Sequence, residues 1–476
     1  MNRLVFHALA QPSRVSALES AITKLLLLDL DLMFPHIKPL YPDFGRPAVN
    51  QQGIIRSLVL MLDRKIHSIT SWVDIIQHDP ILFDLCGFAG NTAPDSASYY
   101  DFLARLWGGR RQVDQQRKKT VRKFRSKPRQ KLKPGEKLAP KHPGSVQKLV
   151  NCVLQGKHLP AFRCGQALHQ LLILCTKQSA SYGLLGDPTS LSCSFDGSPY
   201  PSGGNPHGTK LCHCRENRIF NCECPRRYAD PDASWGWDSY RRRWFWGNTL
   251  CMVTAADGQY DLPLFIQIAQ ASRHDSISAV YALQNILQNY PAMTFRHFIA
   301  DGAMDNYATY DLLDHYNILP FIALDERTKA KLNDYKHPAV IRYTPDGNPV
   351  CPGNYCYTYW GNCKPYRLKY RCPFAAAGQK PPRKCRCSLS SYGKTIYLKS
   401  DKDPRMFPPV PRHTDKFKEM MKARTASERV NKRVFIDYDL ERCRSRSAMM
   451  RFSWAVFAAV NVHLDAWVRH LSFDLM

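Results

Sequence analysis

The sequence predicts an α/β protein built on one mixed sheet with helices on its faces. Three observations predict it. From about residue 188, short apolar runs alternate with helical periodicity in the order three strands, helix, strand, helix, strand. Two of those runs end at an aspartate followed by glycine, in Ser194-Phe195-Asp196-Gly197 and Ile299-Ala300-Asp301-Gly302. A charged, helix-prone stretch far downstream, Arg424-Thr425-Ala426-Ser427-Glu428-Arg429, carries a third acid.

Residues 1–107 read as a helical domain. In Ile54 to Leu62, Ile69 to Ile76 and Ile81 to Leu85, apolar residues recur at three- and four-residue spacing. Pro94-Asp95-Ser96 can open a further helix, capped by Asp95 or Ser96. A plain helical bundle and a helix-turn-helix-like DNA reader both fit this pattern. Residues 108–148 form a basic linker: between 110 and 148, fifteen lysines and arginines face only Asp114 and Glu136. Arg117, Lys118, Lys119, Arg122 and Lys123 form its densest run and are candidate phosphate contacts. Pro128, Pro134, Pro140 and Pro143 make its second half extended.

Residues 149–329 are the first part of the core. A helix over 149–183 leads in. Thr189 to Phe195, Thr249 to Ala256 and Leu262 to Ala269 read as strands, with Asp257-Gly258 as a hairpin turn. Ile277 to Leu287 is helical, Phe295 to Ala300 a strand, Tyr307 to Tyr316 a helix and Ile318 to Leu324 a strand. That succession, antiparallel first and then strand–helix–strand, is that of an RNase H-like core. Over 330–410 the periodicity is lost and Pro, Gly, Tyr, Cys and basic residues dominate, which reads as a Cys-rich insertion. Residues 411–476 complete the core with the Glu428 helix and a C-terminal helix from about 446 to 470, read as buried and amphipathic.

The totals narrow the function. A chain of 476 residues is too long for one ordinary domain. A formal net charge of +27 calls for a polyanionic partner, nucleic acid first. Seventeen cysteines, an odd number, argue against a closed disulfide framework. No secretory h-region is read, and no stretch reaches the roughly 20 apolar residues of a membrane span. The expected setting is therefore cytoplasmic and nucleoid-associated, with no membrane partner, and clustered cysteines there suggest metal.

Asp196 follows a run of apolar and small residues, and an acid at such a position is costly to desolvate unless a cation pairs with it. Asp301 repeats that placement. Hard divalent ions take carboxylate oxygens, and two such ions can supply both an activated water and a stabilised leaving oxygen for phosphodiester cleavage. Asp196, Asp301 and Glu428 are thus the candidate catalytic and Mg²⁺ (or Mn²⁺) ligands. Arg424 shares a helix face with Glu428, as a surface ion pair or as a DNA phosphate contact.

The stretches around these three acids resemble the acidic motifs of DDE transposases of bacterial insertion sequences, in the group with an insertion between the second Asp and the Glu. Asp230 to Trp237, Ser272 to Ser276, Gly45-Arg46-Pro47, Leu85-Cys86-Gly87 and Pro94-Asp95-Ser96 also resemble segments of that group. Around the glutamate the family pattern is Tyr, two residues, Arg, three residues, Glu, six residues, Lys. Arg424 and Glu428 fit; the Tyr position holds Met421 and the Lys position Phe435, with Lys432 as a substitute basic group. The resemblance implies an enzyme that binds its element's terminal inverted repeats, cuts at the ends and joins the 3′ ends to target DNA, as a homo-oligomer pairing two ends. A transposase-derived DNA-binding protein without catalysis and a nuclease without strand transfer are the competing readings.

Cys212, Cys214, Cys222 and Cys224 form two C-x-C pairs, a candidate structural zinc site against a reading as free thiols. Cys351, Cys356, Cys363, Cys372, Cys385 and Cys387 form a second group whose ligands the sequence leaves open. Trp235, Trp237, Trp244 and Trp246 beside Arg241-Arg242-Arg243 read as core, with stacking on splayed bases as the alternative. His274-Asp275 reads as a pair near the metals or as a helix start capped by Asp275 or Ser276.

Overall fold

Strand β1, Leu191–Pro201, is buried on both faces over its first five residues, with apolar Leu191, Cys193 and Phe195 on one face and the small Ser192 and Ser194 on the other. It anchors a mixed sheet with β2 (Ser234–Asp238), β3 (Arg243–Ala255), β4 (Leu262–Gln270), β5 (Phe295–Ala300) and β6 (Leu319–Ile322). β1 pairs antiparallel with β3 on one side and parallel with β5 on the other; β5 pairs parallel with β6. β2 and β4 both pair antiparallel with β3, along different halves of it. The expected mixed α/β sheet is therefore present, with an antiparallel first part and parallel strands after it. Gly247 lets β3 lie against the end of β1: a Cβ there would lie 2.3 Å from the Tyr200 carbonyl oxygen.

The computed structural model describes residues 9–44, 48–90, 92–121, 143–157, 164–329, 331–364, 366–380 and 390–474, with His7, Leu159, Pro382, Cys385, Cys387 and Ser388. Arg122, Lys123, most of the basic linker and Gly45-Arg46-Pro47 lie outside the described residues, as does the Arg117 side chain.

The longer helices are α1 (Glu19–Leu27), α2 (Gln51–Asp63), α3 (Ile69–His78), α4 (Pro80–Cys86), α5 (Ser96–Trp107), α6 (Arg110–Lys118), α7 (Ser145–Leu154), α8 (Gln166–Ser181), α9 (Asp275–Asn289), α10 (Tyr307–His315), α11 (Asp415–Lys422), α12 (Thr425–Lys432) and α13 (Ala448–Asp474). Their starts follow side-chain capping: Ser68 caps α3, Asp79 caps α4 ahead of Pro80, and Asp95 caps α5. Where one helix was expected over 149–183 there are two, because Gly156 takes a left-handed conformation and ends α7.

α13 departs from the amphipathic expectation. It is buried all round from Phe452 to Leu464, which a helix achieves only inside a core. Several of its polar residues find partners on other elements. Asn461 donates to the Val59 carbonyl of α2 at 3.0 Å, and Asp465 pairs with Lys24 of α1. His463 Nδ1 accepts from the Ser179 hydroxyl of α8 at 2.7 Å while its Nε2–H donates to the Pro263 carbonyl of β4 at 2.9 Å. Arg451, fully buried, pairs with Asp230 and Asn248. One apolar cluster accordingly runs from Leu18 through the sheet to Trp467. Among the described residues, no helix is long and apolar enough to cross a membrane.

The segment 330–410 is more ordered than its composition suggested. β7 (Thr358–Lys364), β8 (Arg367–Arg371) and β9 (Thr395–Lys399) form an antiparallel sheet. Leu368 and Tyr370 of β8 and Ile396 and Leu398 of β9 alternate inward to a small core with Tyr343, Tyr357 and Phe407. Two apolar residues per strand, set among Arg, Lys and Pro, are too few for periodicity to reveal.

Candidate active site

Pairing register fixes the two aspartates. Ser194 of β1 lies opposite Ile299 of β5, and Asp196 and Asp301 each follow two residues later. Side chains alternate along a strand, so both acids leave the same face at the same level of neighbouring parallel strands. That face is covered by α11 and α12: Ile299, Phe321 and Phe417 form one cluster, and Asn431 Nδ2 of α12 donates to Asp196 Oδ2 at 2.7 Å. Asp196 is half-buried and Asp301 exposed. Asp301 also caps a short turn, accepting from the Ala303 amide at 2.9 Å.

Burial and the nearby Asp301 carboxylate push Asp196 up to about 7. Asp275 adds to this, while the Gly197 amide and Arg424 oppose it. Asp275 is itself raised by burial and by Asp301. It opens α9 beside Gly197, where a Cβ would lie 2.8 Å from its Oδ1; glycine is what lets this carboxylate approach. The helix cap is neither Asp275 nor Ser276, as expected, but His274, whose ring accepts from the Ser276 amide at 3.3 Å. That leaves Asp275 directed at the site.

Glu428 sits one helical turn before Asn431 on α12. Its carboxylate is exposed and bonds Arg424 at 2.5 Å, the surface pair that i, i+4 spacing allows. Lys432 is exposed on the same helix, as are Lys118 and Lys119 at the start of the basic segment. Two carboxylates on the sheet, crowded by a third, suit a hard divalent ion: Asp196 and Asp301 fit as ligands, and Glu428 is a helical turn from the residue that holds Asp196.

A different group meets ligand geometry more closely. Cys212, Cys214, Cys222 and Cys224 have all their sulfurs within 4.8 Å of one another, and among the described residues this is the group of three or more His, Cys, Asp or Glu that does so. Cys212 and Cys222 lie 3.5 Å apart, Cys214 and Cys224 3.6 Å. The Cys214 amide and the Cys222 thiol draw the Cys212 thiol down to about 7. These four can hold a metal ion. They sit on the loop joining Thr209–Lys210 to Arg226–Arg227, and Thr120–Val121, the first described residues after Lys119, pair with that second strand.

Sequence reasoning missed Asn431, whose role shows only once α12 docks on β1. It misjudged the tryptophans: Trp246 is buried, but Trp235, Trp237 and Trp244 are 46%, 51% and 65% exposed. They line the β2–β3 hairpin as cross-strand pairs, Trp235 opposite Trp246 and Trp237 opposite Trp244.

Carboxylates at matched positions on parallel strands, under a helix carrying a third acid, define a candidate site for metal-dependent phosphodiester chemistry. The model of the transposase DDE domain family matches residues 195–462, more than half of the chain and a span that includes all three acids, so the chain belongs to that family. No curated protein and no solved structure matches it. Transposases of this family use divalent metal ions, typically Mg²⁺.

Proposed function

We propose that the chain is a DNA transposase that binds terminal inverted repeats, cleaves at the element's ends and joins the freed 3′ ends to target DNA. The matched register of Asp196 and Asp301 carries this reading, together with the raised Asp196 carboxyl. The sheet order β4–β3–β1–β5–β6 supports an RNase H-like core.

Asp196 and Asp301 would hold Mg²⁺, with Glu428 completing the set when its carboxylate turns from Arg424. Bound there, the ion would activate the attacking hydroxyl and stabilise the departing 3′ oxygen. The chain's own groups do the rest. Asn431 fixes one oxygen of Asp196. Arg424, released from Glu428, is placed to meet a DNA phosphate. Lys432, Arg117, Lys118 and Lys119, with Arg122 and Lys123, supply sequence-independent affinity along the backbone. In cleavage, water attacks the phosphorus and the 3′ oxygen leaves with a proton. In joining, that 3′ hydroxyl attacks a target phosphodiester and a target 3′ oxygen leaves, so no covalent enzyme intermediate is needed.

Zinc on the Cys212 quartet would fasten the loop against which the basic segment begins. The exposed Trp235, Trp237 and Trp244 offer stacking faces for bases splayed from the duplex. Residues 1–107 would provide end recognition, and pairing of two ends calls for a homo-oligomer.

The test is cleavage and strand transfer of a terminal-repeat duplex with Mg²⁺, using wild type and Asp196→Ala. Wild type is expected to nick and join, and Asp196→Ala to bind without nicking. Equal binding with no cutting by either protein would sink the proposal, and cut ends that never join would reduce it to a nuclease.

A further inference from the structure

Six cysteines lie between 351 and 387, and the structure divides them. Cys351, Cys372, Cys385 and Cys387 line one cavity of about 10 Å³. Cys356 and Cys363 are exposed and do not line it. The four sulfurs come from three places. Cys351 follows the Arg342–Tyr343 and Pro349–Val350 hairpin, Cys372 directly follows β8, and Cys385 and Cys387 form a C-x-C pair on the loop between β8 and β9.

Several features keep this cavity free for sulfur. Gly353 has no side chain where a Cβ would lie 3.0 Å from Cys385 Sγ and 3.6 Å from Cys351 Sγ. The Tyr355 amide donates to Cys351 Sγ at 3.4 Å, which fixes that sulfur at the cavity wall. Tyr357 and Phe374 close the wall with aromatic carbon. The Cys385 thiol feels the Cys351, Cys387 and Cys372 sulfurs together, which places all four in one electrostatic neighbourhood. Buried Arg371, next to Cys372 in the chain, donates to the Ala375 and Tyr392 carbonyls and so fixes the backbone there.

No three of these four sulfurs lie within 4.8 Å of one another, so a bound ion would draw them inward around the cavity. A void of this size holds one water-sized sphere. Tetrahedral zinc is small and thiophilic, with Zn–S bonds of about 2.3 Å. The surrounding sheet has few apolar residues to hold a loop of some twenty residues, and a metal supplies what such a core lacks.

We propose that Cys351, Cys372, Cys385 and Cys387 bind one structural zinc ion, separate from the Cys212 quartet, which ties the β8–β9 loop to the preceding hairpin. On binding, the four thiols lose their protons to solvent and no redox change occurs.

Zinc per chain is measured on the full-length protein by elemental analysis. Cys385→Ser/Cys387→Ser should lower the count by one, and Cys356→Ser/Cys363→Ser should leave it unchanged. A second measurement avoids variants that fail to fold: timed alkylation of wild type, read by peptide mass. Cys387 is exposed like Cys356 and Cys363. Only metal ligation would make it react at least ~10-fold more slowly than those two, until a chelator is added. Zinc content indifferent to Cys385→Ser/Cys387→Ser, or Cys387 alkylating in the metal-replete protein as fast as Cys356, would overturn the assignment.

Discussion

Asn431→Ala isolates what the α12 helix contributes to the first acid. In the wild type, Asn431 Nδ2 donates to Asp196 Oδ2 at 2.7 Å from a buried position. Its other amide atom, Oδ1, is buried without a hydrogen-bond partner, so truncation removes one productive bond and little else. A hydrogen bond to a charged group is worth about 1.5–3 kcal/mol. At 1.4 kcal/mol per factor of ten, that is about 10- to 150-fold in how well Asp196 is held as a ligand. The assay is nicking of a terminal-repeat duplex across a Mg²⁺ series, beside binding of the same duplex without metal. Binding should stay within about twofold, because no phosphate contact is lost. Nicking at low Mg²⁺ should fall by roughly 10- to 100-fold and recover in part as Mg²⁺ rises. Asn431→Asp should not recover, since it sets another carboxylate against Asp196. Wild-type nicking by Asn431→Ala at every Mg²⁺ concentration would refute the role.

Three further outcomes are expected. Burial holds His463 at about 4 against an ordinary 6.5, so its stabilising contribution is complete above pH 6.5 and is lost as pH falls toward 4. Linkage gives a loss of about 2 kcal/mol by pH 5, and His463→Gln, which can keep both hydrogen bonds, should flatten the urea-midpoint slope between pH 7 and pH 5 by that amount; an unchanged slope would assign the acid sensitivity elsewhere. Asp230→Ala strands the buried Arg451 guanidinium and should cost about 3–5 kcal/mol, read as a lowered thermal midpoint. Cys212→Ser/Cys222→Ser should remove one zinc per chain and speed amide exchange at Arg226 and Arg227, which pair with Thr120 and Val121; unchanged zinc would return the quartet to free thiols.

Much of the fold was legible because the core strands obey simple rules. β4 is a near-continuous apolar run, β5 ends in the apolar Phe298-Ile299-Ala300, and the two Asp-Gly strand ends announced where carboxylates would emerge. β2 was not legible, because Trp235 and Trp237 read as core when they in fact face outward from a hairpin. The sheet at 358–399 was hidden by strands with only two inward residues apiece. At the site, residue type and position in a strand pointed to Asp196 and Asp301. No local signal marks Asn431, an ordinary helix residue until tertiary packing brings it to β1. His274-Asp275 reads from sequence either as a pair near the metals or as a helix start, because Asp is a frequent cap, and only the folded chain shows the His274 ring taking the capping bond.

How the helix that carries Glu428 is brought to the sheet, across an intervening segment of about ninety residues, follows from where that segment leaves and returns. It departs after Ile322 at the end of β6, and Arg412 closes it: its Nε donates to the Ile322 carbonyl at 3.0 Å, and its guanidinium also reaches the Tyr310 hydroxyl at 2.8 Å. Arg405 adds an ion pair to the fully buried Asp305, four residues after Asp301. The insertion is thus a closed excursion whose two ends meet beside the second aspartate. Beyond that closure, Phe417 seats α11 on Ile299 and Phe321, and α12 follows onto β1. The position of Glu428 therefore depends on the clamp at Arg412 and the seat at Phe417, not on the path the chain takes between them. Sequence within 330–400 is free to serve another purpose, and its cysteines and basic residues are available for one without disturbing the acids.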